Sequence, residues 1–179
     1  MKLKRPGLWL ALFCFASTVA WAETPSADQV MAKAEAQAQA EHKTIFVHFG
    51  ASWCGWCGRL EGFLERPEIK PVFDKYFVQV SLVTQEEDKK AALNNPGADK
   101  LMEKLGGAKE IPYYAFLDAQ GALIVNSKRP SAEPGGENIG FPVEPKELEW
   151  FRSMLQKAAP NISKAELDTI EATLKSMGK

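Results

Sequence analysis

Cysteine is scarce in this chain of 179 residues, with three in all, too few for the disulfide-dense scaffolds on which small secreted domains rely. Histidine is scarcer still, with two, so a zinc site built from four His and Cys ligands has little to draw on. Neither sign of charge dominates: 22 basic side chains stand against 23 acidic ones, which removes the electrostatic footprint that nucleic-acid binding needs. Internal repeats, collagen-like periodicity and sustained heptads are absent, and past residue 22 there is no long apolar run. What is present is ordinary: 45% hydrophobic and 25% charged residues, the balance of one globular domain long enough to bury a core without staples.

Residues 1–22 read as an address. Lys2, Lys4 and Arg5 make a basic start, Leu8 through Ala20 an apolar middle, and Ala20-Trp21-Ala22 an A-x-A ending before Glu23, the three parts of a secretory signal peptide. The run is at the lower edge of what crosses a bilayer, and Ala11-Leu12-Phe13 ahead of Cys14 do not form a lipoprotein cleavage box. Cleavage after Ala22 predicts a periplasmic or secreted protein over 23–179 with no stable membrane insertion. It removes three bases and no acid, leaving a modestly acidic surface. It also removes Cys14, so Cys54 and Cys57 become the remaining thiols, in a compartment where disulfides persist.

The rest of the chain alternates between helical and extended patterns. A Ser26/Gln29 capping box opens a helix over about 26–41 with Val30, Met31, Ala34 and Ala38 on one face. The run 44–49 is β-branched and aromatic on both faces, as in a buried central strand. A helix from the Trp53–Cys57 turn to about 65, a short one near 72–76, a strand at 77–83, a helix near 98–105 and a hairpin of strands 113–117 and 122–126 follow. Residues 127–145 hold four prolines and three glycines and read as a long loop, functional or mobile. Pro145 then begins a helix carrying Leu148, Phe151 and Leu155, and Ser163 with Glu166 caps a last one through Leu167, Ile170 and Leu174; the glycosylation-like Asn161-Ile162-Ser163 is read as that cap. The order predicts an α/β fold, a mixed sheet covered by helices on both faces with an extra C-terminal helix.

Cys54 and Cys57, three apart at the start of a helix, can close a small disulfide. The helix N-terminus offers partial positive charge and free amides to a sulfur there. Cys54, the outer residue, is expected to have a lowered pKa and to attack, with Cys57 resolving the mixed disulfide. No metal is expected, since beyond this pair there are His42, His48 and carboxylates alone. Haem attachment would need histidine after the second cysteine, where Gly58 stands. A structural disulfide without chemistry is the competing reading.

The stretch Phe46-Val47-His48-Phe49-Gly50-Ala51-Ser52-Trp53-Cys54-Gly55-Trp56-Cys57 resembles the active-site strand and turn of the thioredoxin family. Ile111-Pro112 sits where that family carries a cis-proline beside its redox cysteines, and Gly140-Phe141 is similar to the third loop of its substrate groove. The likeness covers about 26–158, with 160–179 as a helical extension, and is nearest to exported members with a W-C-x-W-C site, such as the C-terminal domain of the membrane thiol:disulfide interchange protein. It implies thiol-disulfide exchange on protein substrates with no dissociable cofactor, recharged by a membrane or periplasmic redox partner. It also implies that Ile111 and Pro112 meet substrate.

Two departures bear on the chemistry. Trp56 stands where thioredoxin itself has proline, so the direction of electron flow is not readable from the motif. His48 replaces a buried acid that handles the inner cysteine's proton; it either takes that part or is a satisfied core histidine, and desolvation opposes its charged form. Trp53 and Trp56 flank the cysteines as candidate substrate-binding residues, an apolar rim for docking peptide; the resemblance implies that Trp53 is core or a local lid, which leaves Trp56 as the better docking contact. Of Tyr113 and Tyr114, one is assigned to the core and Tyr113, after Pro112, to the site. His42 is read as a helix end and the charges at 86–90 as a solvated face. A binding or chaperone module using the same groove, with its cysteines locked, is the alternative function.

Overall fold

β-branched and aromatic side chains on both faces make 44–50 the central strand. β1 (Thr44–Gly50) is buried from Ile45 onward, because β2 (Phe77–Val83) pairs with it in parallel and β3 (Tyr113–Leu117) pairs antiparallel on its other edge. β4 (Leu123–Asn126) adds antiparallel to β3, giving the order β2-β1-β3-β4. The computed structural model describes residues 23–132 and 134–178; the expected signal peptide at 1–22, with Cys14, lies outside them.

Six α-helices are described: α1 (Ala27–Glu41), α2 (Gly55–Leu64), α3 (Lys70–Tyr76), α4 (Ala98–Lys104), α5 (Pro145–Ala158) and α6 (Lys164–Met177). Strand alternation sends side chains into two cores. Phe46, Tyr114 and Phe116 face Leu60, Phe63, Phe73, Phe151, Leu155 and Ile170 of the helices on one side. Ile45, Val47, Phe49, Tyr113 and Ala115 face Ala34 and Ala38 of α1 and Met102 of α4 on the other. Each large apolar side chain buried this way contributes roughly 1.5–3 kcal/mol, so both faces of the sheet are held by substantial cores.

The caps explain where the helices start. Ser26 with Gln29, and Ser163 with Glu166, exchange side-chain and backbone hydrogen bonds at the heads of α1 and α6, each worth about 1 kcal/mol. At the head of α5 the Glu147 carboxylate accepts the amides of Val143 and Glu144. His42 ends α1 in the left-handed region, at φ 54°.

Two expectations are revised. Residues 127–145 are not one open loop: β5 (Lys128–Arg129) and β6 (Glu137–Asn138) pair antiparallel, with an Arg129–Glu137 ion pair across them. Asn138 anchors the ribbon by accepting from the Ser127 hydroxyl at 2.7 Å and donating to the Pro112 carbonyl at 3.1 Å. The charges at 86–90 are not uniformly solvated either, because Glu86 is 5% exposed and a 3-10 helix, Asp88–Leu93, follows it.

Candidate active site

The chain leaves β1 at Gly50 and re-enters helix at Gly55, which makes Cys54 the N-cap of α2, in extended backbone at φ −83° and ψ 102°. The Cys57 amide points at Cys54 Sγ from 3.1 Å, so sulfur takes the place that a serine or aspartate oxygen holds at other helix starts. Cys54 and Cys57 are joined as a disulfide. In the dithiol form the same amide, with the free N–H groups of the first turn, favours negative charge on the Cys54 sulfur. Glycine at position 50 leaves room for this: a Cβ there would stand 3.1 Å from Cys57 Cβ and 3.3 Å from its Sγ. Cys54 borders an open cavity of about 450 Å³ and is 8% exposed against 4% for Cys57, so it is the outer sulfur.

Across from the disulfide, the Ile111–Pro112 peptide is cis. The Ile111 carbonyl oxygen lies 3.7 Å from Cys54 Sγ, and Ile111 packs against Ala51, Cys54 and Cys57. A second cavity of about 300 Å³ brings Trp56, Ile111, Pro112, Gly140 and Phe141 together, with Glu110 and Glu147 among the residues on its wall. Trp56 stacks on Phe141 with ring centroids 6.2 Å apart. The Arg59 guanidinium sits 4.7 Å over the Trp56 ring and donates to the Met177 carbonyl at the end of α6.

Trp53 is not core: it is 61% exposed, against 51% for Trp56, and its indole N–H donates to the Gln85 carbonyl at 2.9 Å. Tyr113 does not reach the groove with its side chain. It is fully buried, its hydroxyl donates to the Leu105 carbonyl at 2.5 Å, and its ring lies near Phe49. Strand alternation after Pro112 turns it toward α4, so both tyrosines are core residues.

His48 is 7% exposed, pairs in register with Ser81 and Tyr114, and makes no side-chain hydrogen bond among the described residues. Burial pushes its pKa down to about 4, so the ring is neutral at neutral pH. It shares its face of β1 with Gly50, against which Cys57 packs, and lines a cavity of about 580 Å³ with Glu61, Lys70 and Asp74. That cavity is the largest of those described, yet neither cysteine lines it; Cys54 and the Ile111–Pro112 peptide border the two described above.

Sequence reasoning missed Glu86. Its carboxylate accepts the Ser52 amide at 2.5 Å and the Ser52 hydroxyl at 3.1 Å, just before the disulfide. The hydrogen bond from that amide is the main cause holding its carboxyl below the ordinary carboxylate range. A glutamate inside a charged run carries no local signal that it will be drawn inward. Among the described residues no group of three or more His, Cys, Asp or Glu is placed to hold a metal ion, and no helix is long and apolar enough to cross a membrane.

Comparison with known proteins places this geometry. A disulphide isomerase from Xylella fastidiosa Temecula1 superimposes with a TM-score of 0.51 at 17% identity, covering 92% of this chain and 100% of its own, a likeness of fold. The oxidised C-terminal domain of DsbD from Neisseria meningitidis aligns at 18% identity over 74% of this chain and 99% of its own, with a TM-score of 0.45. No curated protein matches the chain in sequence. The family model for thioredoxin-like proteins matches residues 26–119, more than half of the sequence and the whole span from the cap of α1 through the Cys54/Cys57 turn to the end of β3, and the chain belongs to the thioredoxin-like family.

Proposed function

We propose that this chain is an exported thiol-disulfide oxidoreductase that exchanges disulfides with protein substrates, as a reductant or an assembly factor, from one thioredoxin-like domain over 23–179. The observation that carries the reading is the sulfur of Cys54 at the N-cap of α2, receiving the Cys57 amide at 3.1 Å beside the Ile111 carbonyl. An inert disulfide has no need of a helix terminus aimed at its outer sulfur.

In the reducing direction the Cys54 thiolate attacks one sulfur of a substrate disulfide, forming a mixed disulfide and releasing the substrate's other sulfur as a thiolate that takes up a proton. Cys57 then loses its proton and attacks Cys54 Sγ, which closes the Cys54–Cys57 disulfide and releases the second substrate thiol. The substrate gains two electrons and two protons, and a membrane or periplasmic dithiol partner returns the pair to the reduced state. His48, on the face of β1 that it shares with Gly50, is the residue assigned to passing the Cys57 proton on in the second step; with its pKa pushed down to about 4 it does not hold that proton. Trp56, Phe141 and Pro112 give the apolar wall on which an extended substrate lies, with the backbone of Ile111 beside the reacting sulfur.

The low exposure of both sulfurs favours one other reading, a binding module with a locked disulfide. Equilibration against glutathione and dithiothreitol separates the two. A potential near −270 mV, about that of thioredoxin, fits a reductant, and one near −120 mV an oxidant. Cys57→Ala is expected to accumulate mixed disulfides through Cys54. A pair that neither reagent reduces, with no trapped partner, refutes the oxidoreductase and leaves the binding module.

A further inference from the structure

The segment after β2 holds the turn that ends on Cys54 at several points. Glu86 takes the amide and hydroxyl of Ser52, and Lys90 Nζ donates to the same hydroxyl at 2.7 Å. The Gln85 carbonyl accepts the Trp53 indole N–H, and its side-chain amide donates to the Lys109 carbonyl at 3.1 Å, in the loop that leads to Ile111. Glu86 is itself fixed, its amide donating to Asn94 Oδ1 and its carbonyl accepting from Asn94 Nδ2, both at 2.9 Å. Gln85 adopts a positive φ of 60° to make this possible, a conformation that is costly for a residue other than glycine.

We propose that Glu86 is a positioning residue for exchange at Cys54: it fixes the turn before the sulfur and, with Lys90, sets how readily that sulfur carries negative charge. The proposal rests on the oxidoreductase reading and extends it to a residue outside the cysteine motif. Glu86 and Cys54 border the same cavity of about 450 Å³. A carboxylate there opposes the thiolate that the head of α2 favours, and the Lys90 ammonium offsets it. The other charged groups around the sulfur are Glu61 of α2, on the wall of the same cavity, Glu110 next to Ile111, and Arg59 over Trp56. His48 is on the sheet face that meets Cys57. None of these four bonds the Ser52–Cys54 turn, so Glu86 and Lys90 are the pair whose removal separates hold from charge.

Glu86→Gln keeps an acceptor for the Ser52 amide and removes the charge. Lys90→Met removes the compensating cation and leaves Glu86 in place. In the full chain, Glu86→Gln is expected to shift the equilibrium with glutathione toward the dithiol by about three- to tenfold, a tenfold change being about 30 mV for this two-electron couple. In a Cys57→Ala background it is expected to lower the apparent pKa read from iodoacetamide alkylation of Cys54. Lys90→Met is expected to move both in the opposite direction. A purely structural role would lower the unfolding midpoints of the oxidised and reduced forms equally and leave the equilibrium constant alone. That result, or constants within twofold of wild type for both variants while the wild-type pair is reducible, overturns the proposal and leaves the oxidoreductase standing. A wild-type pair that resists both glutathione and dithiothreitol overturns the oxidoreductase and the Glu86 proposal with it.

Discussion

Replacing His48 by leucine tests whether the ring beneath the redox turn is held neutral. Burial pushes its pKa from the ordinary 6.5 down to about 4, a difference worth about 3 kcal/mol between the two protonation states. The unfolded chain binds a proton at this position near pH 6.5 and the folded chain does so only near pH 4. Stability is therefore fully present above pH 6.5 and is lost as the pH falls from there toward 4, where the loss levels off. Between pH 7 and pH 5 the wild type should lose about 2 kcal/mol that His48→Leu does not lose. Urea unfolding of both proteins across that range measures it, and carboxylates that titrate alike in both cancel in the difference. Parallel stability profiles for the two proteins would refute the reasoning. So would a proton NMR titration placing His48 near pH 6.5, and because the chain has two histidines and His42 is exposed, assignment is simple. The same variant tests the role proposed for His48: on that proposal, resolution of the mixed disulfide by Cys57 is expected to slow at neutral pH while alkylation of Cys54 is unaffected.

Tyr114→Phe is expected to be neutral or to stabilise by about 1 kcal/mol, because its buried hydroxyl has no hydrogen-bond partner in the structure and an unmade bond is costly. Thermal unfolding should show a midpoint raised by roughly 2–4 °C for a chain of this size, and a clear loss of stability would mean that the hydroxyl is satisfied. Trp56→Ala is expected to slow reduction of a peptide disulfide by about tenfold, the range for losing one aromatic anchor. It should leave exchange with glutathione nearly unchanged, and equal losses with both would place Trp56 in the chemistry rather than in docking.

The elements set by local rules were legible in the sequence. Ser26/Gln29 and Ser163/Glu166 are three-residue signals that act within one turn, and both boxes form. The apolar run at 44–49 carries no alternation because both faces of β1 are covered, and its place between β2 and β3 follows from that pattern. The cysteine pair and Ile111–Pro112 were legible through resemblance, and the structure brings them to 3.7 Å. What stayed hidden depends on partners far along the chain. Glu86 is drawn in by Ser52, and Asn138 is fixed by Ser127 and by Pro112, so neither has a local signature. Tyr113 was misassigned because its place after Pro112 suggested proximity to the site, while the alternation that governs side-chain direction turns it to the other core. Of the places given to Trp53, the core is excluded because its N–H is taken by the Gln85 carbonyl at the surface, a partner 32 residues away that no local pattern announces.

The head of α2 joins fold and chemistry in one hydrogen bond. Gly55 and Gly58 occupy its first turn, and a Cβ at either would meet nothing within 4 Å, so neither glycine is there for want of space. Gly58 costs the helix up to about 1 kcal/mol relative to alanine, so the cap matters to this turn. That cap is the Cys54 sulfur, a weaker acceptor than oxygen while it is in a disulfide or a neutral thiol. Ionisation of Cys54 turns it into a charged acceptor facing the Cys57 amide and the positive end of the helix, so the step that makes the nucleophile is also the step that completes the cap. Trp56 sits in this same turn, between Phe141 and Arg59. A Cys54 thiolate is therefore expected to firm the turn that carries Trp56.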